Sequence, residues 1–324
     1  MSKNLNKIVE ILSDHQYHDG TSIGIKLNIT RAAVWKIIKK LIEYDIPTQS
    51  VKGKGYILEA PLILLNKKKI QDHLGKTPIE LHILEKLDST NDYVKKQTPK
   101  NKKPLVCLAE TQTAGKARMS RHWHSPFGEN IYFTLLYPYQ KDISELSGLS
   151  LVVGLAVCQA IELCAELPEP LFVKWPNDVI AGNQKMAGIL IEIQAEAHGT
   201  CTLVIGIGIN VNMKKSVNKK VDQPWTSIHQ LDHQYHDRNK LAASLIKELL
   251  SYLHQFEQHG LNHFSKEWKK RDFLSQKTVS LLSNKDEFTG IGSGINEQGH
   301  LILALSKNKK QAFSSGDTTL LKKV

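Results

Sequence analysis

The chain has 324 residues, 41% of them hydrophobic and 23% charged, the balance of a soluble globular protein of two or three domains, and its net charge of +11 favours anionic partners without choosing among them. "MSKNLNKIVEIL" lacks the apolar core and cleavage site of a signal peptide, and the most apolar stretch, Leu149 to Ile161, is too short to span a bilayer. Cys107, Cys158, Cys164 and Cys201 are scattered with no C-x-x-C pair, which argues against a disulfide framework and a zinc site and suits a reducing cytoplasm.

In chain order, Leu5, Ile8, Val9 and Leu12 recur at i, i+3, i+4, i+7, one face of a helix. "DGTSIGIKLNITRAAVWKIIKKLIEYDI" then predicts a short helix, a break at Leu27–Thr30, and a second helix capped by Thr30. Val34, Ile37, Ile38, Leu41 and Ile42 form its buried stripe; Arg31, Ala32, Trp35, Lys36 and Lys39 lie outside it. Two helices across a short break, the second basic outside its core face, spell a helix-turn-helix. "TQSVKGKGYILEA" adds two short strands around Gly53-Lys54-Gly55, the basic hairpin that a winged helix places on phosphate. Thr30, Arg31, Ala32, Trp35, Lys36, Lys52 and Lys54 are the candidate DNA contacts, against the competing reading of a helical protein-interaction module with a solvated face.

"LILLNKKKIQDHLG" reads as a linker passing into a helix. From Ile79 to about Asp272 strands are expected at "IELHILEKL", "LVCLAE", "NIYFTLLY", "LFVKWPNDVI", "KMAGILIEIQ" and "CTLVIGIGINVN". Helices are expected at Asn91–Gln97, Leu146–Leu167, Lys240–His259 and Leu261–Arg271. Strands clustered in sequence with helices around them favour α+β over a doubly wound sheet. Phe273 to Val324 holds only short strands and turns, the pattern of a small β-barrel. The expected division is therefore 1–62, 63–272 and 273–324.

Two segments carry chemistry. "TQTAGKARMSRHWHSP", Thr111 to Pro126, has neither helix nor strand periodicity and sets Lys116, Arg118 and Arg121 among the small residues Gly115, Ala117 and Ser120. Anchored between strands, such a loop can cradle phosphate or carboxylate; the alternative is a solvated basic loop. His122 and His124 lack the further ligands a metal site needs. "VKWPNDVIAGNQKMAGILIE" reads as a hairpin turning at Ala181-Gly182-Asn183. On its returning strand Lys185 shares parity with Ala187, Ile189, Ile191 and Ile193, so it either snorkels to water or meets an anion, with Asn177 and Asp178 opposite. The glycines of "GIGIN" (206–210) do not open a helix as a dinucleotide fingerprint would, and "GIGSG" (290–294) reads as a bulge or turn.

"GTSIGIKLNITRAAVWKIIKKL", "GKGYIL", "LDSTN", "AETQTAGKARMSRHWHSPFGENIYFTLL", "KWPNDVIAGNQKMAGILIE" and "GIGINVN", in this order, resemble the bifunctional biotin–protein ligase and biotin operon repressor family over nearly the whole chain. The resemblance implies an N-terminal winged helix-turn-helix, a central ligase domain with a mixed sheet, and a small SH3-like β-barrel. It also implies a biotin–[acetyl-CoA-carboxylase] ligase that makes biotinyl-5′-AMP from biotin and ATP with Mg²⁺, then biotinylates a lysine of an apo biotin carboxyl carrier protein. The adenylate is expected to act as corepressor, favouring a homodimer on operator DNA of biotin synthesis genes, in the cytoplasm and away from membranes.

By the same resemblance Ser89, Thr90, Asn91 and Gln112 meet the ureido end of biotin, and Gly115, Lys116, Ala117, Arg118, Lys185 and Gly188 complete its pocket. Arg118, Arg121, Asn177, Lys185, Asn210 and Trp225 would hold ATP and the adenylate, Trp225 by stacking on adenine. Lys185, Arg118 and Asp178 would be catalytic, Asp178 accepting a proton from the incoming lysine. The family's loop is commonly Gly-Arg-Gly-Arg-x-Gly-Arg, whereas this chain has Lys116, Ala117, Met119 and Ser120. Lysine lacks arginine's bidentate fork, and alanine or serine costs more than glycine wherever φ is positive. A biotin-sensing repressor with weakened or lost ligase activity is the alternative, and a lipoate ligase a third reading that the DNA-binding block disfavours.

Overall fold

The computed structural model describes residues 3–14, 16–97, 103–195, 201–214, 221, 223–283, 286–305 and 309–321. Three helices open the chain: α1 (Lys3–Leu12), α2 (Gly20–Leu27) and α3 (Arg31–Glu43). Asp19 caps α2 by accepting from the Thr21 and Ser22 amides, Asn28 closes it in the left-handed region, and Thr30 caps α3 by accepting from Ala33 N–H. Leu5, Ile8, Leu12, Ile23, Val34, Ile38 and Leu41 pack together, and β1 (Thr48–Val51) pairs antiparallel with β2 (Gly55–Leu58) as the expected wing. Ile42 departs from the stripe at 53% exposure. In so small a unit only the side of α3 facing α1 and α2 is covered, and Ile42 lies at its edge.

After α4 (Lys67–Leu74), the central unit is built from β3 (Glu80–Leu87), α5 (Thr90–Lys95), β4 (Leu105–Gln112), β5 (Ile131–Tyr139), α6 (Leu149–Glu162), β6 (Leu171–Lys174), β7 (Asp178–Ala181), β8 (Gln184–Ala195) and β9 (Cys201–Ile209). Then follow α7 (Ile228–Asp232), α8 (Arg238–His259) and α9 (Ser265–Arg271). The sheet order is β3-β4-β5-β9-β8-β7-β6, parallel at β3/β4 and antiparallel elsewhere, hence the expected mixed α+β sheet. Ile189, Ile205, Ile207 and Ile209 join the core with α6 and α8, whereas Val204, Cys107, Leu105 and Leu136 on the other face pack with Val94 of α5.

"LFVKWPNDVI" is two strands rather than one: the chain reverses between Lys174 and Asp178, where Pro176 supplies no N–H for a ladder. The helix expected at Leu146–Leu167 is confined to Leu149–Glu162, because Gly148 takes positive φ at its start. Leu261–Phe264 is a 3₁₀ turn preceding α9. The tail forms β10 (Thr278–Ser283), β11 (Asp286–Ile295), β12 (Leu301–Ala304), β13 (Lys310–Phe313) and β14 (Asp317–Leu320), an antiparallel sheet ordered β13-β12-β11-β10-β14. No pairing closes β13 onto β14 among the described residues, so the expected barrel is seen as a sheet. The register shift between Gly292 and Ile295 is the bulge expected in "GIGSG". No helix among the described residues is long and apolar enough to cross a membrane.

The three blocks are packed together. Tyr44, at the C-cap of α3, stacks on Phe127 with ring centroids 4.1 Å apart and donates to Glu85 at 2.8 Å. Val279, Leu281, Leu301 and Leu303 of the tail belong to the same apolar cluster as α6 and α8. Arg238, fully buried, donates to Ile63 C=O (2.7 and 3.0 Å), Asn130 C=O (2.9 Å) and Glu110, while Asn239 donates to Leu64 C=O and accepts from Asn66 N–H. The linker after the wing is thus clamped by the start of α8.

Nearby, burial raises the Glu129 carboxyl to about 7, with Arg238 and Lys214 opposing. The folded chain holds this proton more tightly than the unfolded one, so ionising Glu129 costs stability progressively from the ordinary carboxylate range up to about pH 7, and the cost persists above it. Glu129→Gln is expected to flatten that part of the stability–pH curve and to exceed the parent by roughly 2–3 kcal/mol at about pH 8. Denaturant unfolding at about pH 5 and about pH 8 checks it; a parent-like pH difference in the variant would refute it.

Candidate active site

A cavity of about 680 Å³, ample for a cofactor-sized ligand, opens on the α5 side of the sheet. Every expected biotin, nucleotide and catalytic residue lines it except Gly115. Gly115 packs behind the wall, where a Cβ would come 2.7 Å from Trp123 C=O and 2.9 Å from both the Gln112 amide and the Ser125 hydroxyl. That close approach is what requires a glycine here.

One end of the cavity is lined by neutral polar groups, Ser89, Thr90, Asn91 and Gln112, tied into a network behind it. The Ser89 hydroxyl caps α5, Thr90 donates to Gln112 Oε1 through its N–H (2.9 Å) and hydroxyl (3.1 Å), and Gln112 donates to the Ser125 hydroxyl. The Thr134 hydroxyl lies 2.8 Å from that of Thr90 and 2.7 Å from Asn91 Oδ1, and Asn91 donates to Glu192 at 2.7 Å. Such a fixed set of donors and acceptors suits a neutral ligand with amide-like N–H and C=O groups.

The other end is charged. Lys185 Nζ lies 2.7 Å from Asp178 Oδ1 and 5.5 Å from the Trp123 ring centroid. The expected parity of Lys185 with Ala187 and Ile189 is overturned: β7 and β8 slip register between Val179 and Ile180, leaving Met186 as an extra residue. That bulge turns Lys185 onto the face of Gly188, away from Ala187 and Ile189, which lie in the core. Arg118 donates to Asn177 Oδ1 at 3.1 Å, and Asn177 Nδ2 donates to Ile189 C=O. Asn210 donates to the carbonyls of Thr226 (3.0 Å) and Lys185 (3.4 Å), and Trp225 bridges to the Lys185 backbone. Asn177 and Asn210 thereby position Arg118, Lys185 and Trp225. Lys174, which pairs with Asp178 across β6/β7, has its ammonium pulled down by burial, although Asp178 opposes this.

The loop itself is a small flap. Lys116 bridges to His122 and Ala117 N–H donates to Arg121 C=O, leaving residues 118–120 as the tip. Lys116 turns its ammonium to Asp92 at 2.5 Å, and that hydrogen bond raises its pKa. Arg121 pairs with Asp317 of β14. Of the departures from the family loop, Ala117 has φ −131 and carries no strain, whereas Ser120 (φ 56) occupies the left-handed region, as does Met119 (φ 54) at the variable position.

Gly188 was expected in the pocket, but Trp123 above it and the glycines of β9 escaped sequence reasoning. Gly188 and Gly208 are directly opposite on β8 and β9, and a Cβ on either would strike the Trp123 indole; one on Gly206 would strike Asn91. The alternation Gly206-x-Gly208 was the available signal, since glycine at period two in a strand marks close approach. Trp123 Nε1 is buried without a partner among the described residues and faces this space. Thr134, Glu192 and Asp317 carried no local signal, each reaching the site across more than forty residues.

On the N-terminal unit, Arg31, Ala32, Trp35, Lys36, Lys52 and Lys54 are all exposed, Trp35 at 53%. Lys39 lies over the Trp35 ring and Lys54 over Tyr17. The Thr30 hydroxyl is committed to its cap.

A model of the biotin/lipoate A/B protein ligase family matches residues 83–210, and one of an HTH domain matches residues 4–57. The chain is 35% identical over 297 residues to the bifunctional ligase/repressor BirA of Escherichia coli (strain K12), covering 92% of this chain and 91% of that one. It is 27% identical over 314 residues to the protein of the same name from Bacillus subtilis (strain 168), covering 95% and 96%. It is also similar to the structure of biotin protein ligase from Aquifex aeolicus in complex with biotin and ATP, at a TM-score of 0.65 and 27% identity over 75% of this chain and 99% of that one. With a DNA-binding unit and a ligase unit in one chain, matched along nearly its whole length, this protein belongs to the family of bifunctional biotin–protein ligases and repressors.

Proposed function

We propose that this chain, divided at 1–62, 63–272 and 273–324, adenylates biotin, transfers it to a carrier-protein lysine, and represses transcription when the adenylate occupies its site. The observation that carries the ligase half is one cavity with a neutral hydrogen-bonding end at Ser89, Thr90, Asn91 and Gln112 and a cationic end at Lys185 and Arg118. The ureido ring fits the first; the carboxylate and the α-phosphate of Mg²⁺–ATP meet at the second. There Lys185 leaves Asp178 to offset two approaching anions, the carboxylate oxygen attacks phosphorus, and pyrophosphate departs. A carrier lysine then attacks the acyl carbon and AMP leaves, with Asp178 accepting the amine's proton. Retention of Arg118, Asp178 and Lys185 at one end supports an active ligase over a decayed one. The setting is the cytoplasm, the partners an apo biotin carboxyl carrier protein and operator DNA.

Incubation with biotin, ATP, Mg²⁺ and an apo carrier domain tests it; pyrophosphate and a biotinylated lysine are expected, and absence of both refutes it. Asp178→Asn should slow transfer about tenfold or more while adenylation falls less, as a general base contributes selectively to the step whose proton it takes. Single-turnover measurement of each half-reaction separates the two, and equal losses would remove that role.

For the repressor half, operator affinity should rise when biotin and ATP are both present, because a dimer engages two half-sites together. Trp35→Ala and Lys36→Ala should weaken binding, each by about 1–3 kcal/mol at a base contact and less at a phosphate. Point variants serve better than deletion of residues 1–60, since Tyr44 stacks on Phe127, which follows the flap in sequence, and deletion would expose it. A mobility-shift titration with biotin alone, ATP alone and both decides the matter; equal affinity in all three lanes would remove corepression from the reading.

A further inference from the structure

Three cations of the flap are held by three separate parts of the chain: the β6–β7 turn, β14 and α5. Arg118 meets Asn177 and Arg121 meets Asp317, and all four of these residues line the cavity, where an anionic ligand would compete for the arginines. Lys116 differs. It lines the cavity too, but its partner, Asp92, lies on α5 outside the lining, so a ligand in the cavity does not meet the carboxylate that holds Lys116.

Asp92 is also well held. Its N–H donates to the Ser89 hydroxyl at the cap of α5, and Lys95 Nζ lies 4.0 Å from its carboxylate. Lys95 in turn pairs with Glu192 at 2.5 Å, and Glu192 accepts from the buried Asn91 at 2.7 Å. Lys116 therefore docks onto a chain of alternating charges that ends on a residue of the cavity wall. Its place in the flap matters equally. Lys116 and His122 form the bridge at the base of the flap, so fixing Lys116 fixes the hinge of residues 117–121. The tip carries backbone strain of its own, because Met119 and Ser120 both adopt positive φ.

We propose that Asp92 is a positioning residue, a latch whose ion pair with Lys116 holds the base of the flap against α5 and slows escape of the ligand beneath. The consequence for a ligand rests on the function proposed above; the latch itself does not.

Trypsin cleaves after Arg118 and Arg121, so nicking of the full-length chain at these two bonds reports flap opening without any ligand. Exposed ion pairs are individually weak, and the expected effects are modest: Asp92→Asn should raise nicking about threefold and Asp92→Lys about fivefold. In a Lys116→Asp background, where the local cleavage sequence is constant, the same Asp92→Lys change should lower nicking instead. That reversal of sign is the signature of the pair, because a merely structural effect of Asp92→Lys would have one direction in both backgrounds. Release of adenylate made by the chain should follow the same pattern, accelerated by Asp92→Lys in the parent and slowed by it in the Lys116→Asp background. Nicking that is unchanged, or that rises in both backgrounds, overturns the latch. Sign reversal in nicking with no adenylate formed by the parent chain supports the latch and overturns the proposed function.

Discussion

Lys185→Ala is expected to lower the rate of adenylate formation roughly 100- to 1,000-fold, the scale of one preorganised charge placed where negative charge develops. Lys185 is placed from three sides. Its backbone is fixed by pairing with Ile180 and by exchange of hydrogen bonds with Pro224 and Thr226, and its ammonium by Asp178 at 2.7 Å. With the side chain only 14% exposed, it works in a setting where a charge is poorly screened. Alanine would remove the cation and leave the Asp178 carboxylate facing two anionic substrates. Lys185→Ala with Asp178→Asn should therefore recover part of the adenylation lost by the single variant, though not of the transfer step. Pyrophosphate release with saturating biotin measures the first half-reaction. Near-normal adenylation by Lys185→Ala would remove the residue from the chemistry altogether.

Arg238→Met should cost about 3–5 kcal/mol of stability, the range for breaking a fully buried ion pair from one side. Arg238 and Glu110 are both fully buried, and the guanidinium also serves the carbonyls of Ile63 and Asn130. Methionine fills similar volume but leaves an unpaired carboxylate and two unsatisfied carbonyls in the interior. Since Ile63 and Leu65 are held by this pair, the linker should loosen as well. Replacing both partners with apolar residues of like size should recover part of the loss, although Leu65 N–H would still lose its acceptor. Urea unfolding of the parent, the single and the double variant checks the order. A single variant within about 1 kcal/mol of the parent would mean that water reaches this pair.

Wherever a feature is built from neighbours in sequence, it was legible there. The helix-turn-helix followed from the Thr30 cap and the spacing of Val34, Ile38 and Leu41, and the wing from Gly53-Lys54-Gly55. The turn at Gly182-Asn183, the bulge in "GIGSG" and the mixed order of strands and helices were equally local. The grouping of site residues, by contrast, was legible through resemblance, because an ordered set of short motifs can specify a cavity that none of them specifies alone.

Tertiary structure decided the rest. Parity along β8 assigned Lys185 to the apolar face, and a single extra residue at Met186 reversed that, because strand side chains alternate with period two and one insertion flips every later one. The partners of Arg238, Glu110 and the linker carbonyl of Ile63, lie 128 and 175 residues away along the chain; in space they share one clamp, and no local pattern marks such a pair. That Lys116 lines the cavity was legible in the loop; that its ammonium turns to Asp92 of α5 was not. The sequence by itself determined which segments become helices, strands and a basic loop, since propensity, capping and periodicity act over a few residues. Which face each side chain meets, and which distant charge it finds, only the packed chain decided, because burial and pairing depend on neighbours brought in from far along the sequence.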